Sequence, residues 1–436
     1  RLERLRAYLE TFAAFRHPAA MHDAPAMKQR FLDACAHPEL AVQRAALDSL
    51  LAWRDAWLER HADLLRGLLD PARFRDTLAQ ADLSAASEQI GAAERAEVMG
   101  VVVRVLYGLM VSRRGQRTSG AGQKARRAAI LSALYAAAPA DLGLLVDLML
   151  ASLGDAAGHV AGGVFVPGVP AAPARKQLGM LQLLGDVLRH LGRPLAPSLP
   201  RLVGVTVSLA AAACDDARRE VRRAALRRLA DLVRFDGIDW AVFAPPLLAL
   251  VRPRLATFAA DSVQAPSALL DLVRAWATRA DTLRALALPD VLAAVFAGLS
   301  SAHVQPVVAT QLAELAAHVV AAGAVETVPV LLAHLVPLVR RTIDGSFSHA
   351  LSHSARDELL RTELALLAQL APHMTRAADA AELLALLVPL MRHSRVPERT
   401  KMELLRTCAL LLPRAEASAA ALAAPSAPPT APNTAA

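Results

Sequence analysis

The sequence is poor in lysine, cysteine and aromatic residues, and the last two scarcities each exclude a class of protein. Aromatic residues make up 4% of the 436 residues, and because strands are enriched in aromatic and β-branched side chains, an all-β fold is not expected. The three cysteines, Cys35, Cys214 and Cys408, are far apart and form no C-x-x-C pair. We therefore expect buried free thiols in a reducing compartment, and no disulfide framework.

Long uninterrupted hydrophobic runs are also missing. The longest apolar stretch, residues 324–339, contains Glu326, His334 and two prolines, whereas a membrane-spanning helix needs about 20 consecutive apolar residues. The chain opens on Arg1 without the pattern of a signal peptide. We expect no membrane partner, and we expect the chain to be a segment of a longer protein.

Alanine and leucine supply most of the apolar surface, and both favour helices. Apolar residues recur at helical spacing, separated by Pro, Gly, Asp and Ser, and this spacing predicts helices over 27–36 and 39–53 with similar pairs after them. The segments VQRAAL at 42–47 and VRRAAL at 221–226 resemble each other, as repeated units do. The predicted fold class is all-α, an α-solenoid of HEAT/armadillo-like antiparallel helix pairs.

Three stretches interrupt the helical pattern. Residues 112–127 are polar and basic, residues 154–175 are rich in Gly, Pro and Ala, and residues 418–436 are low in complexity. We predict a basic loop, a linker loop and a disordered tail there. The predicted divisions are helical repeats over 1–153, the linker over 154–175, repeats over 176–285, further repeats over 286–417 and the tail over 418–436.

No motif predicts a catalytic centre, a cofactor or a metal site. Residues 119–124 contain two glycines and end in lysine, but they lack the Gly-Lys-Ser/Thr order of a phosphate loop and no strand precedes them. His349, His353 and Asp357 have helical spacing, yet zinc needs further ligands, and a solvated or hydrogen-bonded pair is the simpler explanation. We expect no enzyme activity and no small-molecule substrate.

Two further features concern packing. Trp53 and Trp57 are spaced to share one helical face, where core packing is the expected role and a partner groove is the alternative. Gly108, which follows Tyr107 in an apolar segment, is predicted to mark a close approach of another helix, because glycine leaves no side chain in the way.

Positive charge is concentrated in two places. The net charge is +8, and all but four of the 48 basic residues are arginines, a bias that a GC-rich genome and phosphate binding would each produce. The candidate contact residues in the loop are Arg113, Arg114, Arg117, Lys124, Arg126 and Arg127. Those on a later predicted helix, the arginine-rich helix after Asp216, are Arg219, Arg223 and Arg227. A solvated outer face is one explanation, and contact with an RNA backbone or an acidic protein surface is the other.

The arginine-rich helix has an apolar side as well. Its predicted apolar stripe is Val221, Ala225, Leu229 and Leu232, opposite the line of arginines. Neither basic feature has interleaved aromatic residues for base stacking. Any RNA contact is therefore expected to involve backbone and shape, without reading the sequence.

A series of short motifs stands in one order between residues 5 and 285. They are FRDTL at 74–78, RVLYGLM at 104–110, ARRAAIL at 125–131, RKQLGML at 175–181, DW and PRL at 239–240 and 253–255, and QAPSALL at 264–270. This series resembles the DRIM (down-regulated in metastasis) family, the large HEAT-repeat subunit of the small-subunit processome associated with the U-three small nucleolar RNP. The resemblance implies a nucleolar, non-catalytic scaffold that supports pre-rRNA processing to 18S rRNA and assembly of the small ribosomal subunit. The implied partners are processome proteins and the backbone of pre-rRNA or snoRNA.

Two other HEAT-repeat functions remain open at this point. An importin-type nuclear transport receptor shares the fold, but such receptors are usually acidic, to hold basic cargo, and the sequence pI is about 10.1. A phosphatase or kinase scaffold would need the ordered motifs to be coincidental. An enzyme is the weakest alternative, since no catalytic pattern supports it.

Overall fold

The structure is a computed structural model. It describes residues 2–112, 120–154, 156–213, 218–262, 264–286, 289–301, 303–322, 327–345, 352–394 and 396–423. The chain divides into two compact units, Arg1–Asp239 and Trp240–Ala436. The boundary between the units follows Asp239, so it coincides neither with the predicted linker at 154–175 nor with the predicted division after residue 285.

The described residues are mostly α-helical, which confirms the predicted all-α class. The first unit contains α1 (Leu2–Ala13), α2 (Ala24–Ala34), α3 (Leu40–Leu51), α4 (Ala56–Arg60), α5 (Ala62–Leu69), α6 (Phe74–Gln80), α7 (Arg95–Val111), α8 (Gly120–Ala133), α9 (Pro139–Ala151), β1 (His159–Ala161), β2 (Val164–Val166), α10 (Ala174–Leu191), α11 (Leu199–Ala212) and α12 (Arg219–Val233). The second unit contains α13 (Trp240–Ser262), α14 (Ala268–Ala277), α15 (Ala280–Leu286), α16 (Pro289–Ser300), α17 (Pro306–Ala321), α18 (Val328–Asp344), α19 (His353–Leu370), α20 (Ala377–Met391) and α21 (Glu398–Ala423). Short 3₁₀ helices at Pro18–Ala20, Arg193–Ser198 and Ala371–His373 complete the helical elements described.

The helix ends follow the punctuation of the sequence. Proline opens α9, α16 and α17, where its missing N–H costs no hydrogen bond. The Ser267 hydroxyl caps α14 by accepting from the Leu270 N–H, and the Ser352 hydroxyl caps α19 by accepting from the Ala355 N–H. Gly345, with φ of 69°, ends α18 in the left-handed conformation that favours glycine.

Contacts in the second unit repeat at a regular sequence spacing. Helices α13, α16, α18 and α20 pack in one series, and α14, α17, α19 and α21 pack in another. Polar contacts between neighbours in these series span 40, 42 and 43 positions, as in Arg274–Glu314 (2.6 Å), Arg340–Glu382 (2.8 Å) and Thr407 Oγ1 to the Leu364 carbonyl (3.3 Å). This spacing is the length of a HEAT-type repeat, in which each helix pair stacks on the next.

The segment predicted as a linker loop, residues 154–175, contains a β-hairpin. β1 pairs antiparallel with β2, and Gly162 and Gly163 join them with φ of 57° and 78°. A two-residue turn with both φ values positive has the twist that suits a hairpin. Glycine here supplies the turn conformation, which corrects the linker prediction.

The hairpin is fixed to the first unit through one aromatic side chain. Phe165 is 5% exposed and lies against Gly204 of α11, where a Cβ atom would come within 2.8 Å of the ring. Beyond β2, the Gly168 N–H donates to the Ser208 hydroxyl at 3.0 Å. The hairpin is therefore packed against α11, and it is not a free connection between repeats.

The predicted basic loop, 112–127, is also different from the prediction. Helix α8 begins at Gly120, so Lys124, Arg126 and Arg127 lie on a helix. The five alanines of α8 favour the helical state and outweigh the two glycines at its start. Arg113, Arg114 and Arg117 lie outside the described residues. At the C-terminus, α21 continues to Ala423, past the predicted end of the repeats at 417, and residues 424–436 lie outside the description.

Trp53 and Trp57 do not share a helical face. Arg54 has φ of 55°, a conformation that an α-helix of L-residues does not tolerate, and it separates the end of α3 from the start of α4. The Trp53 ring packs edge-on against Phe31, with the ring centroids 5.4 Å apart. Trp53 is half-buried and packs against a core residue, while the predicted shared face is wrong.

Gly108 confirms the predicted close approach. A Cβ atom at this position would clash with Gln43 Nε2 and would lie 2.7 Å from the His37 carbonyl oxygen. The Gln43 side chain is fully buried and donates to the carbonyls of Cys35 (2.7 Å) and Val105 (3.0 Å). One glutamine thus joins α3, the end of α2 and α7, and it can do so only because position 108 has no side chain.

Gly108→Ala should lower the free energy of unfolding by about 1 to 3 kcal/mol, because the new methyl group displaces Gln43 from its two carbonyls. Gly143→Ala on α9 is the matched control, since nothing lies within 4 Å of a Cβ atom there. That control should stabilise the chain by up to about 1 kcal/mol through helix propensity. Urea unfolding followed by circular dichroism tests both, and equal effects of the two substitutions would contradict the argument.

Two helical stretches, Arg193–Ala212 and Trp240–Ser262, are long and apolar enough to cross a membrane by length and composition alone. Two such helices are weak grounds for a membrane span, because core helices pass the same test. The first stretch is mostly buried within its unit, and the second contains three prolines.

The described cysteines are buried thiols, as predicted. Cys35 is fully buried and Cys408 is 8% exposed. Burial raises the pKa of the Cys35 thiol to about 12, so little of the reactive thiolate forms near neutral pH. Cys214 lies outside the described residues.

Candidate nucleic-acid interface

Three helices of the first unit pack in series and carry most of the excess positive charge. Helix α10 contacts α8 on one side and α12 on the other, and we call these three helices the basic row. They contain eleven lysine and arginine residues against three acidic residues, a net charge of +8. The whole chain also has a net charge of +8, so the remainder is neutral in sum. The two basic features found in the sequence therefore belong to one row.

Helix α12 divides cleanly into a buried side and a charged side. The predicted apolar stripe is confirmed, because Val221, Ala225, Leu229 and Leu232 are each no more than 1% exposed, and α11 packs against this helix. The arginines predicted to face outward, Arg219, Arg223 and Arg227, are exposed. Arg223 and Arg227 form no ion pair with any described residue, so their guanidinium groups are available to an anion.

Other arginines of α12 are engaged within the fold. Arg222 donates to the Ala213 carbonyl at 3.1 Å, and Arg228 lies 3.2 Å from Asp231. The Arg228 side chain crosses over Gly185 of α10, where a Cβ atom would occupy the position of its guanidinium. Gly185 thereby lets α12 reach across its neighbour.

Helix α8 contributes candidates of two kinds. Arg127 turns inward, donating to the Met110 carbonyl (2.8 Å) and pairing with Asp186 of α10 (3.3 Å). Its charge is therefore balanced within the fold, and its clearest role is to join α8 to α10. Lys124 is exposed and Arg126 is half-buried, and neither forms an ion pair in the part of the chain that the structure describes.

Helix α10 adds cations that charge runs in the sequence do not reveal. Arg175 and Lys176 are exposed at its start, without an ion pair among the described residues, and Arg189 is exposed near its end. They are separated by leucines, so no local cluster marks them. The RKQLGML motif at 175–181 contains Arg175 and Lys176, and it was the feature of the sequence that could have identified them.

The structure describes only some of the residues that were considered and set aside as metal or phosphate sites. Asp357 accepts from the Thr400 hydroxyl at 2.9 Å, and His349 lies outside the described residues. Within those residues, no three His, Cys, Asp or Glu side chains form a group that could hold a metal ion. Lys124, at the end of the glycine-containing stretch 119–124, lies on α8 and not on a phosphate-binding loop.

The row can bind an extended polyanion by charge. Arginine forks match phosphate oxygens, and several unpaired cations on adjacent helices would follow a phosphate backbone. No exposed aromatic residue lies on these three helices, so base stacking has no platform there. The arrangement therefore favours contact with the backbone over recognition of bases.

Three of the ordered sequence motifs converge beside α8. Phe74 and Leu78 of the first motif, Leu109 of the second, and Ala125 and Ala129 of the third line one cleft of about 1150 Å³. Residues separated by about fifty positions thus share a surface feature, which the motif order alone did not indicate.

Comparison with known proteins agrees with the resemblance seen in the sequence. The chain matches the family model described as U3 small nucleolar RNA-associated protein 20, N-terminal, over residues 1–427. It is 28% identical over 273 residues to U3 small nucleolar RNA-associated protein 20 of Schizosaccharomyces pombe, and 24% identical over 289 residues to the protein of that name in Saccharomyces cerevisiae. These matches cover 58% and 62% of this chain but 11% of each relative.

A solved structure of importin β superposes with a TM-score of 0.50 and 12% sequence identity, covering 94% of this chain and 50% of that chain. At this identity the likeness shows the α-solenoid fold alone. The match over residues 1–427 carries the family assignment instead. The chain belongs to the family of U3 small nucleolar RNA-associated protein 20, as a match to its N-terminal part.

Proposed function

We propose that this chain is a non-catalytic scaffold segment of a small-subunit processome component. In this role it supports pre-rRNA processing to 18S rRNA and small-subunit assembly in the nucleolus. Family membership supports the assignment, since the matched relatives are named for association with U3 small nucleolar RNA. The importin-type alternative rests on a shared fold at 12% identity, and it is not favoured.

The observation that carries an RNA contact is the basic row. Its net charge equals that of the whole chain, and its unpaired cations include Arg175, Lys176, Arg223 and Arg227. We propose that these residues contact the backbone of pre-rRNA or snoRNA without reading its sequence. The partners on the remaining helix faces are processome proteins.

Replacing Arg175, Lys176, Arg223 and Arg227 by glutamine should weaken RNA binding by the purified chain. A matched control replaces four exposed arginines of the second unit that form no ion pair with any described residue, Arg376, Arg392, Arg399 and Arg414, and so removes the same charge. Losing a phosphate contact should reduce the slope of log K against log salt by about 0.7 for single-stranded RNA. Fluorescence anisotropy with labelled RNA, at several salt concentrations, measures both effects.

Two results would contradict the RNA proposal. One is equal weakening by the two sets of four substitutions, because charge alone would then explain binding. The other is unchanged crosslinking to RNA in the assembled particle when the row is neutralised together with Arg113, Arg114, Arg117, Lys124 and Arg126. Co-purification with transport factors, and not with processome subunits, would overturn the scaffold assignment itself.

A further inference from the structure

The cleft beside α8 has features of a peptide-binding groove. It is lined by the start of α3, by α5 and α6, and by the end of α7 and α8, and its volume is about 1150 Å³. We propose that this cleft binds an acidic, amphipathic segment of a partner protein, which places leucine-like side chains on the floor and carboxylates at the rim. The site takes protein and not RNA, and Arg126 is the cation of the basic row that it uses.

The floor of the cleft is apolar. Leu68, Leu69 and Leu78 are 1%, 2% and 6% exposed, and Leu109 is 7% exposed, so each shows a small part of its side chain to the cleft. The wall formed by α8 presents Ala125 and Ala129, whose short side chains leave the floor open. Such a floor holds the apolar face of a helix, as in grooves that bind anchors at i, i+3, i+4 and i+7.

The rim supplies the charge complementarity. Arg75 and Arg126 are the two charged residues in the lining, and neither pairs with an acidic side chain of the described chain. Nearby arginines are engaged: Arg44 donates to the Leu69 carbonyl, and Arg73 pairs with Asp63. The two rim arginines are thus left unpaired where others are not, and a carboxylate-bearing segment would satisfy them.

The chemistry of the lining favours peptide over nucleic acid. Phe74 is the one aromatic residue of the lining, so successive bases would have no series of rings on which to stack. Leucine side chains gain most by covering other apolar groups, and a nucleotide offers few. A volume of this size also exceeds that of most small-molecule sites and accommodates several side chains at once.

The test uses the purified chain and two labelled peptides of about fifteen residues. Both have leucine at i, i+3, i+4 and i+7, with glutamate at most other positions in one and lysine in the other. Fluorescence anisotropy should show the glutamate peptide binding at least about tenfold more tightly. Ala129→Trp, which fills the cleft from an exposed helix position, should weaken that binding about tenfold.

Two controls separate the site from general effects. Ser132→Trp adds the same ring to an exposed position of α8 outside the lining and should leave binding unchanged. Arg75→Glu with Arg126→Glu should reverse the preference toward the lysine peptide, whereas Arg223→Glu with Arg227→Glu should keep the original preference. Circular dichroism confirms that each variant is folded.

Several outcomes would overturn the proposal. They are equal binding of the two peptides, or equal effects of Ala129→Trp and Ser132→Trp. RNA binding that is lost only in Ala129→Trp would assign the cleft to nucleic acid, and a dimer that dissociates in Ala129→Trp would assign it to a second copy of the chain. Loss of the scaffold assignment in the co-purification experiment would leave the peptide result standing, so the two failures can be told apart.

Discussion

Replacing Arg95 by methionine should lower the free energy of unfolding by about 3 to 5 kcal/mol, because it leaves a buried carboxylate without its partner. Arg95 opens α7 and donates to Asp141 Oδ2 at 2.7 Å. It also donates to the carbonyls of Ser84 (2.7 Å) and Leu83 (3.1 Å), which fixes the chain between α6 and α7. Asp141 is 8% exposed, so water cannot replace the lost guanidinium.

The expected loss can be checked against an exposed pair. Arg73→Met removes the pairing with Asp63, whose side chain is 85% exposed, and should lower the free energy of unfolding far less than Arg95→Met does, because water screens an exposed pair. Arg95→Met combined with Asp141→Leu should recover part of the loss, because it removes the stranded charge. Urea unfolding with comparison of m-values measures all three variants. If Arg95→Met lowers the free energy of unfolding no more than Arg73→Met does, the buried pair with Asp141 does not contribute as proposed.

The second large effect should be a loss of pH dependence: the stability of the parent chain should fall with rising pH, and Glu363→Gln should remove that fall. Glu363 is fully buried on α19, and burial raises the pKa of its carboxyl group from 4.5 to about 8. Its Oε1 atom lies 2.7 Å from the Thr342 hydroxyl of α18, while Oε2 has no hydrogen-bond partner. Attraction to Arg341 works in the opposite direction and is outweighed. The neutral acid is therefore the form that suits the folded chain.

The sign of the pH effect follows from proton binding. Between about pH 4.5 and pH 8 the folded chain holds a proton on Glu363 that the unfolded chain releases, so stability falls as pH rises through this window. Glutamine has no charge to bury. The variant should therefore match the parent near pH 4.5 and exceed it above pH 8 by a few kcal/mol, at about 1.4 kcal/mol per pKa unit.

Thermal unfolding of the whole chain at several pH values tests this prediction. Glu382→Gln makes the same change at an exposed position, where the pair with Arg340 has half-exposed side chains, and should shift stability by less than about 1 kcal/mol. Parallel pH profiles for the parent chain and Glu363→Gln would show that this carboxyl group does not carry the dependence.

Much of the fold could be predicted because it depends on local patterns. The apolar stripe of Val221, Ala225, Leu229 and Leu232 is buried as expected, and Gly108 marks a close approach as expected. The errors arose where two signals competed. Glycine in 154–175 suggested flexibility, but Gly162-Gly163 is a hairpin turn, and polar residues in 112–127 suggested a loop although alanine favours α8.

The candidate interface could be predicted less fully, because it depends on which side chains find partners. In the sequence, Arg127 and Arg223 are equally good candidates for an RNA contact. In the structure, Arg127 pairs with Asp186 of α10, whereas Arg223 is exposed. Asp186 stands 59 positions from Arg127, so no local pattern connects them. The cleft beside α8 was missed for the same reason, because its lining comes from five helices.

The spacing of about forty residues between contacting positions in the second unit has a consequence for local opening. Because helix pairs in a repeat of this kind are held by their immediate neighbours, a defect there should loosen the adjacent pairs and leave distant ones intact. Amide exchange should therefore fall off in steps along the sequence from the site of a substitution, without one shared opening energy. One repeat could therefore open locally when its partner changes, while the next repeat stays folded and bound.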